Sequence, residues 1–113
     1  MITIYHNPRC GKSRDCLLNL ALSNKEFKIV KYLETVPTYD ELSDIIKKLN
    51  IKPIELIRQK EKTWVEQFKD KPMGDKQIIQ AMINNPILIE RPIVINGDKA
   101  VIARPFEKAN TII

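Results

Sequence analysis

An α/β fold built on one four-stranded mixed sheet is predicted by three features of the chain. A strand, a helix and a second strand follow one another at the start. A block of amphipathic helices fills the middle, and a hairpin with a short helix closes the chain. Strands joined through a helix pair in parallel and strands joined by a tight turn pair antiparallel, so the two ends supply the two halves of a mixed sheet.

Ile2-Thr3-Ile4-Tyr5 is a β-branched and aromatic run ended by His6-Asn7-Pro8, and it reads as the first strand. From Ser13 the period becomes helical, with Asp15, Asn19 and Ser23 as a polar stripe and Leu17, Leu20 and Ala21 opposite. Asn24 ends this helix, and Phe27 to Leu33 forms the second strand. Pro37 before Thr38-Tyr39-Asp40-Glu41 spells a capping box, followed by Leu42, Ile45, Ile46 and Leu49 on one helical face.

Pro53 opens a short helix that runs through Ile54, Leu56 and Ile57 into Arg58. Thr63-x-x-Glu66 is a candidate cap for a short helix carrying Trp64, Val65 and Phe68. Asp75 is a candidate N-cap for a helix with Ile78, Ile79, Met82 and Ile83, ended by Asn84-Asn85-Pro86. Ile93-Val94-Ile95 and Ala100-Val101-Ile102 flank Asn96-Gly97-Asp98, a hairpin in which Asn-Gly supplies the positive-φ positions. A short helix follows Pro105. This order is the thioredoxin or glutaredoxin architecture, with an enlarged helical insertion at about residues 38–85 between the second and third strands.

The 113 residues suffice for a single domain, residues 1–113, with one core. A composition of 43% hydrophobic and 29% charged residues excludes disorder as the main state. No apolar run approaches about 18 residues and no signal peptide opens the chain, so a cytoplasmic protein without membrane contact is expected. Two cysteines, Cys10 and Cys16, do not make a secreted disulfide framework, and with the single His6 they do not make a metal site. No bound cofactor is expected. A net charge of +5 favours anionic ligands, while scattered lysines and few aromatic residues argue against nucleic acid. A monomer is expected.

The stretch His6-Asn7-Pro8-Arg9-Cys10-Gly11-Lys12-Ser13 lies between the first strand and first helix and nearly spells a phosphate-binding P-loop. It lacks the first glycine, and the chain has no later apolar strand ending in Asp to hold Mg²⁺. A phosphatase loop of the C-x5-R kind fails because Cys16 stands where the arginine is needed. The third reading is a redox site, Cys10-Gly11-Lys12-Ser13, a C-x-x-S at a helix N-terminus. There the amides and the positive end of the helix dipole favour a thiolate and also an oxyanion. Arg9, Lys12 and Arg14 act in the same direction, and Gly11 lets a ligand approach the backbone.

Ser13 cannot resolve a mixed disulfide as a second cysteine would, so turnover needs an outside thiol such as glutathione. Ser13 is also a candidate N-cap, and one residue can do both. His6 either supports the Cys10 thiolate, as imidazolium or by a hydrogen bond, or is structural. Cys16 reads as a small buried apolar residue, with a resolving partner as the alternative.

Several stretches together resemble the glutaredoxin-coupled arsenate reductases, the ArsC family. They are Tyr5-His6-Asn7-Pro8-Arg9-Cys10, Tyr32-Leu33-Glu34-Thr35, Ile57-Arg58-Gln59-Lys60, Asn85 through Val94, and Ala103-Arg104-Pro105, in order from about Ile2 to Ile112. The resemblance implies that Cys10 attacks arsenate, that glutathione forms a mixed arsenic–thiol adduct, and that glutaredoxin completes reduction to arsenite. It matches Arg58, Arg91 and Arg104 to substrate-binding arginines, and His6 to a histidine that lowers the cysteine pKa. Forked guanidinium donors suit a phosphate-shaped dianion. Each arginine has a plain alternative: Arg58 can serve a helix C-terminus, and Arg91 and Arg104 flank the hairpin as exposed charges. Pro92, at the start of the third strand, is expected to be cis.

The chain ends at Ile113, which places the resemblance nearest the short members of the family. The Spx regulators, which share the fold and bind RNA polymerase, often carry C-x-x-C. Ser13, Arg58 and Arg104 argue against that branch. A regulator without turnover and a glutathione-dependent thiol oxidoreductase are the alternatives to arsenate reduction.

Overall fold

The computed structural model describes residues 1–113, which form two compact units: Met1–Thr35 with Arg91–Ile113, and Val36–Glu90. In the first unit, strand β1 (Ile2–Tyr5) runs parallel to β2 (Phe27–Val30) and antiparallel to β3 (Ile93–Asn96), which pairs antiparallel with β4 (Lys99–Ile102). The four strands form the mixed sheet expected, in the order β2-β1-β3-β4. β2 stops at Val30, short of the expected Leu33, because the N–H groups of Glu34 and Thr35 fold back onto the Lys31 carbonyl. The hairpin turn is shifted by one residue from expectation. Asn96 pairs with Lys99, so Gly97 and Asp98 are the central pair, and Gly97 alone has positive φ, at 64°. Glycine in the first central position of a two-residue loop matches the twist of the flanking strands.

Helix α1 (Gly11–Leu22) joins the parallel pair. Its inward face carries Ser13, Cys16 and Leu20, spaced three and four apart, while Ala21, Leu18 and Leu22 face out. Ala21 therefore leaves the expected apolar face and Cys16 joins it. Cys16 and Leu20 pack with Ile2, Ile4, Val94, Ala103 and Ala109, so the sheet, α1 and the terminal 3₁₀ turn (Phe106–Thr111) share one core. The Asn96 side-chain amide donates to the Ile112 carbonyl at 2.6 Å and ties the chain end to β3.

The second unit holds α2 (Tyr39–Leu49), α3 (Lys62–Gln67), α4 (Asp75–Asn84) and 3₁₀ turns at Pro53–Leu56 and Pro86–Leu88. The capping box at α2 is complete: the Thr38 hydroxyl accepts from the Glu41 N–H at 3.2 Å, and a Glu41 carboxylate oxygen accepts from the Thr38 N–H at 3.0 Å. Leu42, Ile45 and Ile46 of α2 and Ile78, Ile79 and Met82 of α4 are buried. Two expected caps move. Glu61, not Thr63, precedes α3, and Gly74, not Asp75, is the N-cap of α4, with its N–H held by the Gln77 side chain at 2.7 Å. Beyond Leu56 the chain is extended, and Ile57 bridges Ile89 antiparallel. Arg58 accordingly sits on an extended segment rather than at the end of a helix. No helix is long and apolar enough to cross a membrane.

Candidate active site

Cys10 is the N-cap of α1, half-buried in the bend that carries the chain from β1 into the helix. Asn7-Pro8-Arg9-Cys10 forms a tight turn closed by the Cys10 N–H on the Asn7 carbonyl at 3.0 Å. Proline suits the second position of such a turn because its fixed φ is the one required there. The Arg14 N–H then donates to the Cys10 carbonyl at 2.9 Å as the first helical bond. The amides of Gly11, Lys12 and Ser13 have no acceptor within the helix, as at any helix start.

Two of those amides, from Lys12 and Ser13, point at the Cys10 sulfur, and the Arg91 guanidinium lies beside it within hydrogen-bond reach. Burial alone pushes the Cys10 thiol up. The Ser13 amide, the Arg91 charge, the Lys12 amide and the Arg91 hydrogen bond together outweigh it, and hold the pKa below its ordinary value. The first turn of α1 carries no acidic residue, whereas α2 begins with Asp40 and Glu41. Acidic side chains stabilise a helix start and cations oppose it. Lys12 and Arg14 are thus poorly placed for the helix itself and well placed for an anion seated on its end.

Arg91 and Arg104 come together in this unit. Arg104 Nη1 donates to the Arg91 carbonyl at 3.3 Å, across the start of β3 and the end of β4. The expected cis peptide at Arg91–Pro92 is present, and Arg104–Pro105 is a second one. Neither arginine is a free surface charge, since each has further partners in the fold. Arg58 belongs to the other unit. Its Nη1 donates to the Ile87 carbonyl at 3.2 Å and its Nη2 lies 3.5 Å from Glu61 Oε2. At Gly11 an added Cβ would meet nothing nearer than Arg14 Nη2 at 3.8 Å, so approach to this stretch of backbone is open.

Ser13 departs from the N-cap role expected of it. It is the third residue of α1, fully buried, and not the N-cap. Its Oγ lies 2.7 Å from His6 Nδ1 and accepts the Asn7 N–H at 3.0 Å, so only its backbone amide faces the thiol. His6 makes its side-chain hydrogen bond to Ser13 rather than to Cys10. Burial, first, and the charges of Lys31 and Arg14 hold its pKa below 6.5 against the opposing Ser13 contact. These effects favour the neutral ring over the imidazolium. Cys16 is fully buried and its thiol is pushed up to about 11 by desolvation. The residue absent from the sequence-based candidates is Asn7, buried and bonded at its N–H, its carbonyl and its side-chain oxygen. Its signal in the sequence was only an Asn-Pro turn spelling.

The profile of the ArsC family matches residues 5–112. The chain belongs to the ArsC family. Across 99% of its length it is 43% identical to the uncharacterized protein YfgD of Escherichia coli K12, covering 96% of that protein. It is 38% identical to an arsenate reductase of Neisseria meningitidis, over 99% of this chain and 97% of that one. The arsenate reductase structure from Vibrio cholerae superposes with a TM-score of 0.94 at 36% identity, covering 99% of this chain and 97% of that chain. The fold is thioredoxin-like, as this ArsC neighbour and the mixed sheet agree.

Proposed function

We propose that the protein reduces arsenate to arsenite in the cytoplasm, with glutathione and glutaredoxin as electron donors, through a covalent adduct on Cys10. The observation that carries this reading is the Cys10 thiol held against the Lys12 and Ser13 amides and the Arg91 guanidinium. A thiolate there is both a nucleophile and a marker of where negative charge is stabilised. The arsenate reductase names of its relatives supply the substrate.

The chemistry follows from that placement. The Cys10 thiolate attacks arsenic, a sulfur–arsenic bond forms, and one arsenate oxygen leaves as water after protonation. Free helix-terminal amides and Arg91 stabilise the charge that builds on the remaining oxygens. Arg104, by holding the Arg91 carbonyl, keeps that arginine in register, and the resemblance assigns it to substrate binding. A glutathione thiol displaces a second oxygen as water, with arsenic still pentavalent. Glutaredoxin thiolate then attacks the glutathione sulfur. A disulfide forms, the electron pair of the broken sulfur–arsenic bond stays on arsenic, and arsenic becomes trivalent. Water releases arsenite and restores the Cys10 thiol. Ser13 leaves the resolving thiol to come from outside, and Arg58, matched by the resemblance, is assigned to substrate binding.

The test is NADPH oxidation coupled through glutathione reductase with arsenate, glutathione and glutaredoxin present. An arsenate-dependent rate that disappears in Cys10→Ser is expected. Absence of any arsenate-dependent rate in the unmodified protein would sink the proposal.

A further inference from the structure

We propose that Asn7 is a positioning residue for the reaction, a clamp that holds the cysteine loop so that the Cys10 sulfur stays over the free amides of α1. The inference rests on the reading of Cys10 as the nucleophile. It is carried by three hydrogen bonds from one buried residue. The Asn7 carbonyl accepts the Cys10 N–H at 3.0 Å, its Oδ1 accepts the Arg9 N–H at 3.0 Å, and its own N–H donates to Ser13 Oγ at 3.0 Å. Asn7 is 8% exposed, among only three buried polar residues, and the other two, His6 and Ser13, belong to the same network.

Each bond has a distinct consequence. The Oδ1 contact to the residue two positions on is an Asx turn, which fixes the path of Pro8 and Arg9 without help from the rest of the fold. The carbonyl contact takes up the Cys10 N–H, so this amide is unavailable to an anion and the free set begins at Gly11. The N–H contact anchors the start of the loop to the third residue of α1, whose amide is one of those facing the thiol. Both ends of the loop are therefore referred to the helix that stabilises the thiolate. His6, whose Nδ1 lies 2.7 Å from the same Ser13 oxygen, supports that anchor.

A side chain buried merely to satisfy its own polar groups would leave the thiol unaffected when replaced in a protein that still folds. A clamp would not. In Asn7→Ala the Arg9 N–H loses its acceptor and the loop is free to carry the sulfur away from the amides. The readouts are the thiolate titration of Cys10 by absorbance at about 240 nm, with the Cys10→Ser protein as baseline, and the iodoacetamide alkylation rate at fixed pH. Asn7→Ala is expected to raise the titration midpoint by about half a pH unit and slow alkylation at pH below the midpoint about threefold. It should lower the arsenate turnover number more than it changes KM for arsenate.

Asn7→Ser keeps an oxygen acceptor that forms the weaker serine version of the same turn, so its midpoint should fall between the two. If the alanine variant does not fold, the serine variant carries the test. A folded Asn7→Ala protein with the parent's midpoint and alkylation rate overturns the proposal, and so does an Asn7→Ser protein with no shift when it is the only one that folds. Neither primary readout needs arsenate. A parent protein without arsenate turnover would thus contradict the proposed function while leaving the clamp to be decided by the titration.

Discussion

His6 is the only histidine in the chain, which lets its ring be followed alone by NMR. Its titration midpoint is expected below 6.5, because burial and the Lys31 and Arg14 charges disfavour the proton. The folded protein then binds this proton less readily than the unfolded chain. The stability associated with neutral His6 is complete above about 6.5 and declines as the pH falls toward the lowered folded midpoint. Denaturant melts across that interval should show this dependence in the parent and lose it in His6→Asn. A midpoint at or above 6.5 would contradict the effect assigned to burial and to the Lys31 and Arg14 charges. Residue type alone could nominate His6, Ser13 and Cys10, since imidazole, hydroxyl and thiol advertise their chemistry. It could not show that the Ser13 hydroxyl turns inward, because that depends on His6 and Asn7 closing over it from the preceding loop.

At the scale of the element, local rules succeeded where the signal was complete within a few residues. Thr38 and Glu41 satisfy one another's backbone donors, so the start of α2 was legible. Thr38→Ala is expected to cost about 1 kcal/mol of unfolding free energy, measured by denaturant titration. Gly97→Ala is expected to cost a similar amount, about 1 kcal/mol, because the loss lies in the positive φ and not in crowding. An added Cβ there meets nothing within 4 Å. An unchanged midpoint in both would contradict the roles given to cap and turn. The caps of α3 and α4 were misplaced by sequence because Thr63 and Asp75 are good cap types lying one or two residues inside the helices that form. Arg58 was misplaced because an isolated bridge between Ile57 and Ile89, remote in sequence, extends the chain just where a helix seemed to continue.

For the whole molecule, the parallel β1–β2 pair and the antiparallel β3–β4 hairpin followed from connection lengths, whereas the strand order rests on the β1–β3 pairing between segments remote in sequence, which no local signal carries. The face of α1 followed in part: Leu17, Leu20 and Cys16 lie in or against the core as expected, but Ala21 faces out, since it, Leu18 and Leu22 are as apolar as their buried neighbours and only packing against the sheet separates them. The net charge of +5 acts at this scale too. A dianionic substrate should be captured faster at low salt, so kcat/KM for arsenate is expected to fall about twofold or more between about 0.01 and 0.15 M ionic strength. A value independent of salt would show that only the local amides and arginines matter. The whole account turns on one thiol being activated and the other silent. Cys16, at about 11, stays protonated well past the range in which Cys10 ionises, so the two steps separate in one experiment. Thiolate absorbance titrated from acid to alkali should show a first step with its midpoint below that of an ordinary thiol, absent in Cys10→Ser and retained in Cys16→Ala. A first step at or above the ordinary thiol value, or one that survives in Cys10→Ser, would contradict the account.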